Sequence, residues 1–373
     1  MIKLILSFIF LCIFPIRNTF SFETEKLKPG FDPYEYRQLL EISTRQADTP
    51  WTSSNVKLPY PDNCRMVFRS DSAGLDNRWD LWIRDDSVGI ISIRGTTLSM
   101  DSWAEDFYSP MLPAKGSIIL NSKNVFVYKL AESGKANIHT GWLIGLAYLS
   151  GSITEKINEF HSRGIKNYLI MGHSQGGAIA YLLTSYLHYL DKERIPDDVK
   201  FKTYCSASPK PGNLFYSYDF DFITRGGWAL RVSNTEDWVP QCPLSIQSVK
   251  DFSTVNPYSE RDSFIVKMNL IEKLIFNYIV GKLNNSLNDS KDMLNEYFGK
   301  MVYEHSIKKF LPEFPEPVYT GDFYYYPCGM PVVLIEQEGY KEFTESESNI
   351  PELFKNHMIP AYYFLLNKIY FNR

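Results

Sequence analysis

The residues best suited to chemistry stand in Gly172-His173-Ser174-Gln175-Gly176, a serine between two glycines with one residue on either side. Three fixed residues at about 7% frequency each would recur by chance in roughly one chain in eight of this length, so the string alone decides little. Its flanks decide more. The apolar run Tyr168 to Met171 predicts a buried strand, and Gly177-Ala-Ile-Ala-Tyr-Leu-Leu predicts a helix. A strand, a sharp turn and a helix lift a serine hydroxyl to a helix N-terminus, where N–H groups and the dipole favour developing negative charge. Gly172 and Gly176 suit that turn because side chains there would collide with the neighbouring strand and helix. The plain alternative is a glycine-rich packing turn.

A second stretch fits the same chemistry. Val88 to Ile93 reads as a strand running into Arg94-Gly95-Thr96-Thr97. Such a turn can set an N–H and the Thr96 hydroxyl against an oxyanion, with the other N–H from Gln175, the residue after the serine.

Serine is a weak nucleophile on its own, so it needs a base, and the base needs an orienting acid. On a strand–turn–helix elbow of this kind the chain order is Ser, acid, His. Six histidines are present, and only His305 and His357 follow the serine with room for an acid between. The acid candidate is Asp237, where the apolar strand before Asn234-Thr-Glu-Asp237 gives way to a loop marked by Pro240; Glu236 is its rival. Successive side chains at a strand end point opposite ways, so one of the two faces the site. His305 lies mid-pattern in a helical stretch, whereas His357 sits on a loop after a late strand, so position favours His357. His139 and His173 read as structural.

The elements that must hold these residues alternate. Strands are expected at Val88 to Ile93, Asn167 to Gly172, Lys202 to Ser206, Trp228 to Val232 and Pro331 to Glu336. Helices are expected at Thr140 to Arg163, stopped by Gly164, at Gly176 to Leu190, and within Ile350 to Arg373. That alternation predicts an α/β fold whose mostly parallel sheet is covered by helices on both faces. Residues 22–85, with five prolines, read as irregular. Residues 262–312 carry apolar side chains at helical spacing and read as a helical insertion, either a cap or an appendage.

Composition bounds the rest. The chain has 373 residues, 22% of them charged, and a formal net charge of −4. No basic run supports nucleic-acid binding. Residues 1–21 read as a signal peptide: Lys3, an apolar run to Pro15 too short to span a bilayer, then Thr19-Phe20-Ser21. Residues 22–373 then form one domain, soluble and either secreted or periplasmic, with no transmembrane segment. Export permits disulfides among Cys64, Cys205, Cys242 and Cys328, and their spacing matches no zinc pattern. Cys205, in an apolar strand, reads as core. Aromatic residues reach 15%, consistent with thick packing and, beyond that, an apolar substrate groove.

The chain resembles the class 3, or fungal-type, lipases, in the branch found in bacteria. The resemblance rests on Ile93-Arg94-Gly95-Thr96-Thr97, Ile138-His139-Thr-Gly141-Trp142, Gly172-His-Ser174-Gln-Gly176-Gly177, Ser206-Ala-Ser208-Pro209-Lys-Pro-Gly212-Asn213 and Asn234-Thr-Glu-Asp237-Trp-Val-Pro240. It implies an α/β-hydrolase fold and ester hydrolysis without metal or cofactor. Ser174 would be the nucleophile, Asp237 the acid, and Thr96 and Gln175 the oxyanion donors. The ending around His357 resembles longer bacterial members, in which that histidine is the base. The resemblance also implies a lipid or other ester substrate, action at a lipid–water interface, and a lid near Ser102 to Tyr108. A phospholipase, an acyltransferase, a peptidase and a non-catalytic binding module on the same scaffold stay open as alternatives.

Overall fold

The structure, a computed structural model, describes residues 26–46, 54–253, 256, 258 and 268–371. The expected signal peptide lies outside the described residues. Seven strands make the central sheet, in chain order: β1 (Cys64–Arg69), β2 (Trp79–Arg84), β3 (Val88–Ile93), β4 (Asn167–His173), β5 (Lys200–Ser206), β6 (Ala229–Asn234) and β7 (Met330–Leu334). They lie side by side in that same order. β1, β2 and β3 pair antiparallel, and β3 through β7 pair parallel.

Among the described residues, the helices of seven residues or more are α1 (Pro33–Ser43), α2 (Met100–Phe107), α3 (Thr140–His161), α4 (Gln175–Tyr189), α5 (Leu214–Ile223), α6 (Leu270–Asn295), α7 (Tyr340–Ser346) and α8 (Ile359–Tyr370). Side-chain alternation along the strands divides the core in two. Ile91, Ile93, Ile170 and Cys205 face α3, α4 and α5. Ile90, Leu169, Met171 and Val232 face α1 and α8. Both faces are therefore covered, as parallel sheets require, and the architecture is the α/β-hydrolase fold.

The reading of 22–85 as irregular is overturned. Pro33 occupies the first position of α1, where its missing N–H costs nothing, and Asp32 caps the helix by accepting from the Tyr34 and Glu35 N–H groups at 2.9 and 3.2 Å. Two antiparallel strands follow, and β2 is buried along nearly its whole length. Prolines there mark boundaries instead of excluding structure. The last helix lies within the expected stretch, beginning at Ile359 after a separate turn at Glu352–Phe354. Cys64, Cys205, Cys242 and Cys328 are all free thiols, with Cys205 and Cys328 buried.

Helix α6 runs within the stretch whose spacing reads as helical, but its apolar side chains in the first half are mostly exposed. Its last turns are fixed to the body: Leu294 packs with Met111, Phe323 and Tyr325, and the buried Lys291 ammonium meets Asp251 at 2.7 Å.

Candidate active site

The turn between β4 and α4 holds Ser174 at φ 59° and ψ −131°, a conformation a serine adopts only when its surroundings impose it. They do so on both sides. The Ser174 N–H donates to the Ser206 carbonyl at 2.9 Å, and its carbonyl accepts from the Gly177 N–H at 2.9 Å. The side chain caps no backbone donor of α4 and lines a cavity of about 1000 Å³, counting its open mouth.

His357 lines the same cavity. It stands on the short link between the Glu352–Phe354 turn and α8, and its ring is buried. Its Nδ1 lies 2.8 Å from Asp237 Oδ2. An ionised carboxylate only accepts, so Nδ1 carries the proton and Nε2 is left as an acceptor. Asp237 is buried at the end of β6, and two further donors fix it: the Tyr362 hydroxyl on Oδ2 at 2.7 Å and the Val239 N–H on Oδ1 at 3.0 Å. Glu236, the rival acid, points to solvent. His305 is exposed in the continuation of α6 and is not among the residues lining the cavity.

The backbone of His357 is held as firmly as its ring. Its carbonyl accepts from His173 Nε2 at 2.8 Å, which fixes the proton of His173 on that nitrogen. His173 Nδ1 must then accept, taking the Ser206 hydroxyl proton at 3.0 Å, and the Tyr36 hydroxyl donates to Ser206 at 2.6 Å. Burial drives the His173 pKa well below the ordinary histidine value, with His357 adding to the effect, so the ring stays neutral in this relay.

Thr96 and Gln175 also line the cavity. The Thr96 hydroxyl donates to Asp106 Oδ2 at 2.8 Å. A hydroxyl has one proton, so the group Thr96 has left to offer an anion is its backbone N–H. The Gln175 side chain is turned away from any such role: its Oε1 accepts from the Ser102 hydroxyl at 3.1 Å. Ser102 Oγ in turn accepts from the Thr97 N–H at 3.0 Å. Helix α2, which occupies the place of the expected lid, is thus tied to both turns that carry the predicted donors.

Asp106 is the functional residue that sequence reasoning missed. Its carboxyl faces the cavity, and its Oδ1 accepts from Trp142 Nε1 at 3.0 Å while Oδ2 takes Thr96. Burial pushes its pKa up to about 6, against the pull of the Trp142 and Thr96 bonds and the nearby His357. A carboxyl with a raised folded-state pKa contributes stability that is whole below its unfolded value, near 4, and is lost as pH rises to about 6. Asp106→Asn should erase that slope. Urea unfolding at pH 4.5 and 6.5 should show the parent losing on the order of 1 kcal/mol more than the variant, since cavity water screens part of the shift; parallel pH profiles would contradict the assignment. His139, expected to be structural, is buried, stacks on Trp142 at 3.6 Å between ring centroids and caps α3. Burial lowers its pKa to about 3. Among the described residues, no group of three or more His, Cys, Asp or Glu side chains could hold a metal ion.

The rest of the cavity is apolar and largely aromatic, with walls from Trp103, Phe107, Trp238, Phe298, Phe323 and Phe354. A strained serine, an acid–histidine pair and an apolar cleft together have the parts needed for nucleophilic acyl transfer on an apolar substrate.

Parts of the chain are similar to known proteins. Residues 90–246 match the model of the class 3 lipases. A "Secreted mono- and diacylglycerol lipase 1" of Fusarium solani is 29% identical over 108 residues, which is 28% of this chain and 29% of that protein, so the chain spans under a third of that relative's length. Among solved structures, a triacylglycerol lipase from Penicillium expansum is similar at 14% identity and a TM-score of 0.41, over 57% of this chain and 74% of that one. Lip2 lipase from Yarrowia lipolytica is similar at 15% identity and 0.41, over 59% and 77%. The segment matched to the class 3 lipases, residues 90–246, is the one that carries the elbow, the predicted oxyanion turn and Asp237.

Proposed function

We infer that this protein is a secreted serine hydrolase that cleaves carboxylic esters of lipids through an acyl-enzyme. The observation that supports it most is the shared cavity of Ser174 and His357, with His357 Nδ1 bound to Asp237 at 2.8 Å. In this reading Nε2 of His357 takes the Ser174 proton as the hydroxyl oxygen attacks the ester carbonyl. The backbone N–H groups of Thr96 and Gln175 receive the oxyanion; losing one such donor typically costs about 10²–10³ in rate. The imidazolium, steadied by Asp237, returns the proton to the departing alcohol. Water then attacks the acyl-enzyme with His357 again as base, releasing the acid and restoring Ser174. Tyr362 and Val239 keep Asp237 from turning, and the His173 relay keeps the His357 backbone in place.

The aromatic walls favour an apolar acyl chain as the group held during attack. The leader expected at residues 1–21 and the word "Secreted" in the name of the Fusarium relative both support an extracellular site of action. Residues 22–373 then form one catalytic domain, with the α6 region as an insertion.

A fluorophosphonate probe tests the reading directly, because it captures only a serine whose proton a neighbouring base removes. One adduct should form, on the peptide containing Ser174, and none in Ser174→Ala. No labelling of a folded sample would favour the non-catalytic scaffold instead.

A further inference from the structure

The first half of α6 breaks the usual rule for helices of a protein in water. From Leu270 to Leu283 it carries nine apolar residues and only three charged ones, Glu272, Lys273 and Lys282. Leu270, Ile271, Leu274, Ile275, Tyr278 and Ile279 each expose between 51% and 74% of their surface. At 100° per residue these six positions cover one half of the helix, and Phe276, Val280 and Leu283 widen the apolar arc to roughly 280°, broader than the stripe one neighbour can cover. From Asn284 onward the composition changes abruptly to Asn, Ser and Asp, up to the anchored Lys291 and Leu294. The helix is thus a polar, fixed base with an apolar outer half about 21 Å long.

Its position gives the apolar half a direction. The same helical run continues into Phe298, which lines the cavity and lies parallel to Phe107 of α2, ring centroids 6.4 Å apart and planes 11° apart. Phe107 is itself exposed, as are Leu244 at the cavity wall and Leu98 and Met100 at the start of α2. Exposed apolar surface therefore lies at both ends of the polar stretch, on the outer half of α6 and at the mouth of the site.

We propose that the outer half of α6 is a lipid-surface anchor, immersing among the acyl chains of aggregated lipid and holding the cavity mouth against that surface. A second copy of the chain is a poorer occupant: a helix pair covers one narrow seam on each partner and would leave the rest of this broad arc in water. Acyl chains can cover so broad an arc at once, while the side carrying Lys273 and Asn277 stays toward the headgroups. The apolar run is too short to cross a bilayer, which takes about 20 residues, and among the described residues no helix is long and apolar enough to do so. It can enter one face of a lipid surface. The choice of lipid as occupant rests on the lipid-ester reading of the cavity.

The test separates the two. The full chain is compared with a variant carrying Leu274→Ser, Ile275→Ser, Tyr278→Ser and Ile279→Ser, and with the outer pair Leu270→Ser and Ile271→Ser, which touches the body least and guards against misfolding. Co-sedimentation with phosphatidylcholine vesicles needs no catalysis. It should fall by about tenfold or more in the fourfold variant and by a smaller factor in the pair. Hydrolysis of emulsified triolein should fall in parallel, while turnover of dissolved p-nitrophenyl butyrate stays within about twofold, because α6 before Phe298 lines no part of the cavity. If the parent binds vesicles and the variants do not, yet no ester is cleaved, the anchor stands and the catalytic reading fails. Vesicle binding by both variants equal to that of the parent would overturn the anchor. So would a parent that sediments as a dimer and variants that sediment as monomers.

Discussion

His357→Ala should lower ester turnover by roughly 10⁵–10⁶, while His305→Ala leaves it within about twofold. When the groups of a catalytic triad act as a unit, removing the base costs nearly as much as removing the whole set. The expectation follows from placement. His357 is buried in the cavity with its Nδ1 on Asp237, whereas His305 is exposed on the run that continues α6. Initial rates on p-nitrophenyl butyrate, with matched circular dichroism spectra to establish folding, decide the matter. Loss of turnover in His305→Ala alone would move the base to the other histidine and detach Asp237 from the reaction.

The second large effect is structural. A Cβ on Gly172 would stand 2.0 Å from the carbonyl carbon and oxygen of Gly176 and 2.5 Å from the Gly177 nitrogen. These are backbone atoms at the first turn of α4, so no flexible side chain can swing aside. Gly172→Ala must push the strand from the helix and take Ser174 with it. We expect a loss beyond about 4 kcal/mol, seen as a melting temperature lower by roughly 10 °C or as failure to accumulate in soluble form. Gly151→Ala in α3 is the control, since its added Cβ would meet nothing within 4 Å. It should be neutral or stabilise by about 0.5–1 kcal/mol through helix propensity. Equal melting temperatures for Gly172→Ala and the parent would mean the elbow is much looser than described.

How far the sequence could be read depended on whether a feature was local. The elbow was legible because strand, turn and helix adjoin in the chain and each has its own signature. Gly164, which closes α3 at φ +89°, was legible for the same reason. Asp237 could be found because it ends a strand, and His357 because it follows a late one. Asp106 could not. It matters through Thr96, ten residues back, and Trp142, thirty-six residues on, and neither shares a helix or strand with it. The relay from Tyr36 through Ser206 and His173 to His357 crosses 321 positions and has no trace in any window. The helix α1 was missed because prolines were read as breakers throughout, although Pro33 stands where a helix accepts one. The apolar spacing of α6 gave the helix but not its environment. Periodicity tells which faces are greasy and nothing of what they meet.

The first and last helices lie together on one face of the sheet. Phe31 meets Tyr370 and Tyr34 meets Phe371, with centroids 5.3 and 4.8 Å apart, and the Tyr363 hydroxyl donates to Glu41 at 3.2 Å. Between those helices runs the strut from Tyr36 to the carbonyl of His357. Among the described residues, α1 and α8 are therefore closed on each other without a covalent bond, and the same closure seats the imidazole. A polypeptide still emerging from a ribosome or threading through a translocation pore has the serine on its bend but not yet the partner that arms it. Ester cleavage, on the proposed assignment, begins only once the segment carrying His357 has been made and has folded against α1, so a chain stopped short of it has no power over the lipids of the cell that makes it.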